Sequence, residues 1–204
     1  MVQWVIGVGS IENDRIIMKV FKFGGASVKN AEGVRNVVKV LQHFPDDDLL
    51  IVVSAMGKTT NALEKLVWAW RDGKTVKDDL NELRKVHLEI LNMVVPEFIE
   101  AAVWLNESFN ELEELLSGKP TNNADQDYDQ VVSYGELWST MIVSSYLSIA
   151  MDQCSCMDAR DLIKAKLVDL IGRQIGRGVV LQKLRIIACA ILEPPDAVIG
   201  PGQL

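Results

Sequence analysis

Residues 18–30, MKVFKFGGASVKN, decide the fold: a short strand-like run meets two glycines, and Asn30 then stands where a helix would begin. Apolar residues recur at helical spacing over 34–41, which predicts an amphipathic helix capped by Asn30. After Pro45, the continuous apolar run 49–53, LLIVV, is typical of a parallel strand covered on both faces. Together these form a βαβ unit. The sequence therefore predicts an α/β fold with an open, mostly parallel sheet and helices on both faces.

Helical patterns dominate the middle of the chain. A helix is predicted over about 61–71. Two apolar stripes over 76–116, separated by Pro96, predict a helical hairpin inserted between strands of the sheet and projecting from it. The polar stretch 117–129 is predicted to be a loop, and a last helix is predicted over 133–149.

The composition is that of an ordinary globular chain of 204 residues, 49% hydrophobic and 24% charged, with a formal net charge of −7. This acidic balance argues against a nucleic-acid partner, because nucleic-acid binders carry a basic face. No stretch reaches the ~20 apolar residues that span a bilayer, and the N-terminus lacks the basic start of a signal peptide. The three cysteines have neither the number nor the spacing of a disulfide framework or a metal site. We therefore expect a cytoplasmic protein with no metal site of its own and with neither a nucleic-acid nor a membrane partner.

Both ends of the chain differ from its middle, residues 18–165. Met18 directly precedes the first strong strand pattern, so residues 1–17 are predicted to be an N-terminal extension, with an ordinary extra strand as the equal alternative. Residues 166–204 lack Ser, Thr, Asn, Met, His and aromatic residues, and they carry a small excess of Lys and Arg. We expect a divergent, poorly packed tail there, such as a frameshift, a misjoined gene or a natural truncation would produce.

The first candidate site is the segment 22–27, KFGGAS, at the end of the first predicted parallel strand. Ligands of open α/β sheets bind beyond the carboxyl ends of the strands. Two glycines let backbone amides approach a polyphosphate, Lys22 supplies a positive charge and Ser27 a hydroxyl. The spacing is not that of a Walker A motif. A plain turn that uses the glycines only for geometry is an equal alternative.

The second candidate site is the segment 54–61, SAMGKTTN, which follows the next parallel strand. Its small residues, glycine and hydroxyl groups suit a small polar substrate bound beside the first loop. Thr60 and Asn61 could instead cap the following helix, and on the residues alone capping is the favoured role.

The third candidate site is the segment 133–136, SYGE, predicted at the start of the last helix, with Gly135 and Glu136 in its first turn. A carboxylate in a first turn is common because it interacts favourably with the helix dipole. The functional alternative is that Glu136 receives a substrate ammonium group, with Gly135 allowing a close approach.

Four segments resemble, in order, those of aspartate kinases in the amino-acid-kinase superfamily: KFGGASV at 22–28, VVSAMGKTTNAL at 52–63, SYGELWS at 133–139 and MDAR at 157–160. The resemblance covers about residues 18–165. It implies transfer of the γ-phosphoryl group of ATP, with Mg²⁺, to the side-chain carboxylate of L-aspartate. The product would be 4-phospho-L-aspartate, the entry to lysine, threonine and methionine synthesis. A homo-oligomer is compatible with the resemblance.

The resemblance also implies roles for individual residues. Contacts with the ATP phosphates would come from Lys22, Gly24, Gly25 and Ser27. Lys22 would be the catalytic charge that stabilises the transferred phosphoryl group. Thr60 and Glu136 would bind aspartate, with Glu136 pairing with its α-ammonium group. Supporting roles would fall to Ser54, Asn61, Asp158 and Arg160.

The second half of the family's kinase domain is not recognisable in residues 166–204. That half carries a Gly-Arg-Gly-Gly-Ser-Asp signature, to which GRQIGRG at 172–178 is only superficially similar. We therefore expect no measurable aspartate kinase turnover from this 204-residue chain on its own, since both substrates must be held in line. The alternatives are an inactive chain that binds phosphates or a partner chain, and a kinase for another acceptor such as glutamate or a nucleotide.

Overall fold

The computed structural model describes residues 2–7, 17–151, 154–157 and 185–189, with side chains for 19–47, 49–151, 154 and 156. The described strands are β1 (Val2–Gly7), β2 (Ile17–Phe23), β3 (Asp48–Val53), β4 (Cys154–Met157) and β5 (Arg185–Cys189). They form one sheet in the order β1-β2-β3-β5-β4. The β2–β3, β3–β5 and β5–β4 pairs are parallel, whereas β1 runs antiparallel to β2. The predicted mostly parallel sheet is confirmed.

The described helices are α1 (Ala31–Leu41), α2 (Thr59–Arg71), α3 (Lys77–Val94), α4 (Ile99–Ser117) and α5 (Ala124–Ala150). The βαβ unit β2–α1–β3 is the one predicted, with Phe23 beside Val53 at the carboxyl ends of the two strands. Helix α1 begins where expected, because the Asn30 side chain accepts a hydrogen bond from the Gly33 N–H at 2.9 Å. The α/β class is therefore confirmed, and the first two candidate sites lie at one edge of the sheet.

The Asn30 cap gives a first testable prediction. Asn30→Ala removes the acceptor for one of the otherwise unpaired N–H groups of α1, which costs about 1 kcal/mol of stability. For a chain of this size the midpoint of thermal unfolding should fall by about 2–4 °C. Asn30→Asp keeps an acceptor and serves as the control. Equal melting temperatures for the Ala and Asp variants would contradict the capping role.

Burial alternates along the two central strands that follow the predicted pattern. Phe21, Phe23, Ile51 and Val53 point to one face and are buried, together with Leu49. On the other face Val20, Leu50 and Val52 are half-buried and Lys22 is exposed. On β2 and β3 one face of the sheet is thus fully buried, and the other face is partly covered by the described residues.

The hairpin of α3 and α4 packs onto the body of the domain. Helix α3 contacts α1, α2 and α5, and α4 contacts α5. The aromatic rings of Phe109 and Trp138 stack with centroids 3.8 Å apart, and His87 meets the Trp138 ring edge-on at 5.2 Å. The prediction of a hairpin over 76–116 is confirmed, but its predicted projection is wrong, since both of its helices bury apolar faces in the common core.

Helix α5 begins much earlier than the sequence pattern indicated. Asn123 caps it by accepting hydrogen bonds from the N–H groups of Asp125 and Gln126. Asp127 is buried and receives hydrogen bonds from Arg71 and from the Thr121 N–H. The predicted loop over 117–129 is therefore wrong in its second half, because a buried ion pair and a side-chain cap, rather than an apolar stripe, stabilise this first part of the helix.

The two ends of the chain contribute strands. β1 lies within residues 1–17, so the alternative of an ordinary extra strand is the one observed there. β5 lies within residues 166–204, and its backbone pairs with β3 and β4 in the middle of the parallel sheet. The division of the chain at 18 and 165 into extension, domain and tail stays a prediction. Among the described helices, none has the length and apolar character to cross a bilayer.

Candidate functional site

Two loops meet at the carboxyl ends of β2 and β3. We call Gly24–Ser27 the glycine loop and Ser54–Lys58 the second loop. The Ser54 N–H donates to the Phe23 carbonyl at 3.0 Å, and the Gly57 N–H donates to the Gly25 carbonyl at 2.9 Å. The first two candidate sites are therefore joined by backbone hydrogen bonds into one surface, as the parallel pairing of the strands requires.

The close approach of the two loops requires a residue without a side chain at Gly25. A Cβ atom placed on Gly25 would lie 2.5 Å from the Ala55 carbonyl oxygen and 3.1 Å from that of Gly57. Gly57 has a φ of +55°, in the left-handed region that favours glycine. By contrast, no atom lies within 4 Å of a Cβ placed on Gly24. Gly25 therefore allows the two loops to pack closely, whereas the backbone of Gly24 borders open space.

Helix α5 closes the site from a third side. A Cβ placed on Gly135 would lie 3.1 Å from the Ala55 Cβ and 3.2 Å from the Thr59 Cγ2. One turn further along, the Ser139 hydroxyl donates to the Ser54 carbonyl at 2.8 Å. Because Gly135 has no side chain, α5 packs directly on the second loop. All three candidate segments thus come together.

Glu136 is the buried carboxyl group of the site, with 8% of its surface exposed. Burial raises its pKa above the usual value, and the backbone N–H groups of Glu136 itself and of Ala55 oppose this shift. Within the described residues no Lys, Arg or His forms an ion pair with it. A carboxyl group in this position would gain from a cationic ligand, which would supply the missing counter-charge.

The predicted position of Glu136 in its helix is wrong. It lies more than three turns from the start of α5 at Ala124, so the helix dipole, which acts over the first turn, does not explain a carboxylate here. The error follows from the misplaced start of the helix. Glu136 is instead distinguished by its contact with the second loop, through the Ala55 N–H.

Positive charge surrounds the loops in a protein whose net charge is −7. Lys22, Lys29 and Lys58 all have exposed side chains, and none forms an ion pair among the described residues. The Lys29 Cβ also lies 3.6 Å from a Cβ placed on Gly57, so Lys29 stands beside the second loop. Lys22 was predicted from the sequence, whereas Lys29 and Lys58 were not. Their position next to the loop glycines is the signal that could have found them.

The start of α2 is different from the predicted cap. Lys58, rather than Thr60 or Asn61, occupies the capping position, and its side chain makes no capping hydrogen bond. Thr60 and Asn61 lie in the first turn, where their N–H groups have no partner among the described residues. Thr60 is half-buried and Asn61 exposed. Capping therefore does not explain these residues, and the free N–H groups could receive an anionic oxygen.

Of the remaining predicted site residues, the structure describes two serines and leaves out Asp158 and Arg160. Ser54 is half-buried in the second loop, and Ser27 is exposed in the glycine loop with its N–H bonded to the Gly24 carbonyl. Asp158 and Arg160 lie outside the described residues.

The described side chains do not form a metal centre. No group of three His, Cys, Asp or Glu side chains among them could hold a metal ion. The loops instead offer lysines, hydroxyl groups and backbone N–H groups, which match phosphate oxygens.

Comparison with solved structures identifies a shared fold. Escherichia coli aspartokinase III, solved in complex with aspartate and ADP, superposes with a TM-score of 0.61 at 24% sequence identity, covering 70% of this chain and 31% of that one. Clostridium acetobutylicum aspartate kinase gives a TM-score of 0.54 at 20% identity, covering 69% of this chain and 30% of that one. At these identities the likeness shows the fold.

Comparison of sequences identifies the family. Aspartokinase 3 (chloroplastic) of Arabidopsis thaliana is 35% identical over 137 residues, which is 63% of this chain and 23% of that protein. Bifunctional aspartokinase/homoserine dehydrogenase 2 of Escherichia coli K12 is 27% identical over 146 residues, 71% of this chain and 18% of that protein. The chain thus spans less than a quarter of the length of these relatives. The model of the amino acid kinase family matches residues 18–182. The chain therefore belongs to the amino acid kinase family, and over about two thirds of its length it is similar to aspartokinases.

Proposed function

We propose that this chain forms the phosphate- and aspartate-binding part of an aspartate kinase. The reaction is the transfer of the γ-phosphoryl group of ATP to the side-chain carboxylate of L-aspartate, which yields 4-phospho-L-aspartate for lysine, threonine and methionine synthesis. One observation carries the proposal: a lysine-flanked pair of glycine-containing loops lies against a buried carboxyl group, Glu136, that has no counter-charge among the described residues. Such a site presents positive charge to an anionic group of a ligand and negative charge to a cationic group.

The glycine loop is the proposed phosphate site. Gly24 leaves open space above the backbone, and Lys22 and Ser27 are exposed on either side of it. Phosphoryl transfer depends mainly on positioning and on neutralising the charge of the transferred group. Lys22 would supply that charge, and Lys29 and Lys58 would add to the positive field around the loops. The ADP bound to Escherichia coli aspartokinase III supports a nucleotide as the ligand.

The second loop and α5 are the proposed aspartate site. Glu136 would pair with the α-ammonium group, and Thr60 would donate its hydroxyl to a carboxylate. The first-turn N–H groups of α2 would bind a carboxylate oxygen. Ser54 and Asn61 line the same surface in supporting roles, and we extend a supporting role to Asp158 and Arg160 from the resemblance alone. The aspartate bound to Escherichia coli aspartokinase III supports this choice of ligand.

Lys22→Ala tests the phosphate site. Removing one charge-assisted contact with a phosphate oxygen should weaken binding by about 1.5–3 kcal/mol, or tenfold or more. Calorimetric titration of the 204-residue chain with ATP and Mg²⁺, at fixed ionic strength, measures the effect. Lys65→Ala removes an exposed lysine from the middle of α2 and is the matched control. Unchanged binding by the Lys22 variant would place the phosphates elsewhere.

The same titration separates the acceptor classes. L-aspartate should bind the nucleotide complex more tightly than L-glutamate, whose extra methylene would displace its carboxylate from Thr60. Preference for glutamate, or for a nucleotide acceptor, would support another kinase of the family. Binding of nucleotide with no amino acid would support an inactive phosphate-binding chain.

A further inference from the structure

His87 is a buried polar residue that the proposed function leaves unused. It lies in the middle of α3, within the helical hairpin, and no part of it is exposed. Its ring packs against Phe109 of α4 and Trp138 of α5, and its two nitrogens face the Leu83 carbonyl and the Thr59 hydroxyl. No charged side chain is among these neighbours. Many buried histidines only pack in a core with both ring nitrogens hydrogen-bonded. A functional role for His87 therefore depends on which residue its hydrogen bond holds in place.

The hydrogen bonds determine which nitrogen carries the proton. Nδ1 lies 2.7 Å from the Leu83 carbonyl oxygen, which can only accept, so Nδ1 is the donor. Burial lowers the pKa of His87, despite the opposing effect of the bond to Leu83, and the ring is therefore neutral at pH 7. Nε2 is then an acceptor, and the Thr59 hydroxyl, 3.3 Å away, donates to it.

Thr59 connects three parts of the site. It is the first residue of α2 and directly precedes Thr60, and its N–H donates to the Met56 carbonyl in the second loop. Its methyl group fills the space beside Gly135, one residue before Glu136. A hydroxyl fixed by His87 therefore determines the rotation of the Thr59 side chain, and so how the start of α2 packs on α5.

We propose that His87 is a positioning residue, which through its hydrogen bond with Thr59 holds the start of α2, and with it Thr60, in register with Glu136. The helical hairpin thereby supports the amino-acid end of the site. This inference rests on the proposed function of Thr60 and Glu136 as ligands of aspartate. It predicts that loss of the hydrogen bond weakens aspartate binding and leaves nucleotide binding unchanged, because among the described residues the hydrogen bonds of the glycine loop involve neither His87 nor Thr59.

Thr59→Val is the decisive variant, since it keeps the shape of the side chain and removes the donor. We expect about a tenfold weaker affinity for aspartate, measured by calorimetry in the presence of ADP, with the affinity for ADP unchanged. Thr59→Ser keeps the hydroxyl and should retain most of the affinity. His87→Leu should reproduce the Thr59→Val effect, and adding Thr59→Val to it should cost little more, because both remove the same bond. A purely structural role would lower the melting temperature and leave the aspartate affinity, measured well below it, unchanged.

A second measurement is independent of aspartate binding. Nitrogen-15 NMR of the wild-type chain should show His87 as the Nδ1-protonated neutral tautomer. Amide exchange of Ala62, whose N–H bonds to the Lys58 carbonyl, should be faster in Thr59→Val than in Thr59→Ser. If the wild type binds no aspartate, the proposed function fails, and these two results still decide the positioning role. An Nε2-protonated ring, or equal exchange in the two Thr59 variants, would overturn it.

Discussion

Gly25→Ala is expected to separate the glycine loop from the second loop and to abolish nucleotide binding. The added methyl group would lie 2.5 Å from the Ala55 carbonyl oxygen, a backbone atom that cannot rotate away. One of the loops must move, and the hydrogen bond from the Gly57 N–H to the Gly25 carbonyl would stretch or break. Overpacking of this kind costs typically 1–3 kcal/mol, or about 2–12 °C in melting temperature for a chain of this size. The larger effect is expected on the proposed phosphate site, because the backbone N–H groups of the glycine loop would be displaced.

Gly24→Ala is the matched control for stability. It makes the same chemical change one residue earlier, where no atom lies within 4 Å of the new methyl group. Its unfolding free energy should stay within about 0.5 kcal/mol of the wild type. Thermal unfolding of both variants, followed by titration with ATP and Mg²⁺, compares them directly. Equal melting temperatures would mean that the two loops are not packed as closely as the structure has them.

The sequence predicted the parts of the fold that local chemistry determines. The strand 49–53, the Asn30 cap and the Pro96 break each depend on neighbouring residues, and each is observed. The start of α5 could not be predicted, because Asp127 is stabilised there by Arg71, 56 residues earlier in the chain. An acidic segment with no apolar stripe is typical of a loop until such a partner is known.

The residues proposed for the candidate site came from motif resemblance, and their contacts could not be predicted. Motif resemblance selected Gly25 and Glu136, but only the structure shows that Gly25 excludes any side chain and that Gly135 brings α5 onto the second loop. Thr59 and Thr60 are adjacent and chemically alike. One hydroxyl donates to His87, 28 residues away, whereas Thr60 is only half-buried beside the loop. No spacing rule distinguishes them, because the distinction depends on how α3 packs on α2.

Glu136→Gln is expected to abolish aspartate binding and to make the ligand-free protein more stable. A carboxylate that pairs with a substrate ammonium group in a desolvated site cannot be replaced by a neutral amide, because the ammonium group would be left unpaired. Losing one partner of such a pair costs about 2–5 kcal/mol, which corresponds to at least a 30-fold loss of affinity. Calorimetric titration with L-aspartate in the presence of ADP measures this loss.

Glu136→Gln weakens binding but should stabilise the ligand-free protein, because Glu136 has no counter-charge among the described residues. Its pKa is raised in the folded state by burial, so the folded protein holds the proton more tightly than the unfolded chain does. Stability is therefore lost as the pH rises from the unfolded value, near 4.5, through the higher folded pKa. Glutamine carries no such charge. The variant should gain about 1 kcal/mol over the wild type at pH 7, as is common when a destabilising site residue is neutralised, and the gain should disappear below pH 4.5.

Asp129→Asn completes the comparison. It neutralises an exposed carboxylate on the same helix, so the aspartate affinity should not change. Denaturant unfolding of the three proteins at a series of pH values provides the measurement. In the wild type, aspartate binding should also release a proton at pH values near the raised pKa, because the ammonium group favours the carboxylate form. A Glu136→Gln variant that binds aspartate normally, or that is less stable than the wild type at pH 7, would show that the charge of Glu136 is already balanced within the protein and that Glu136 is a structural residue.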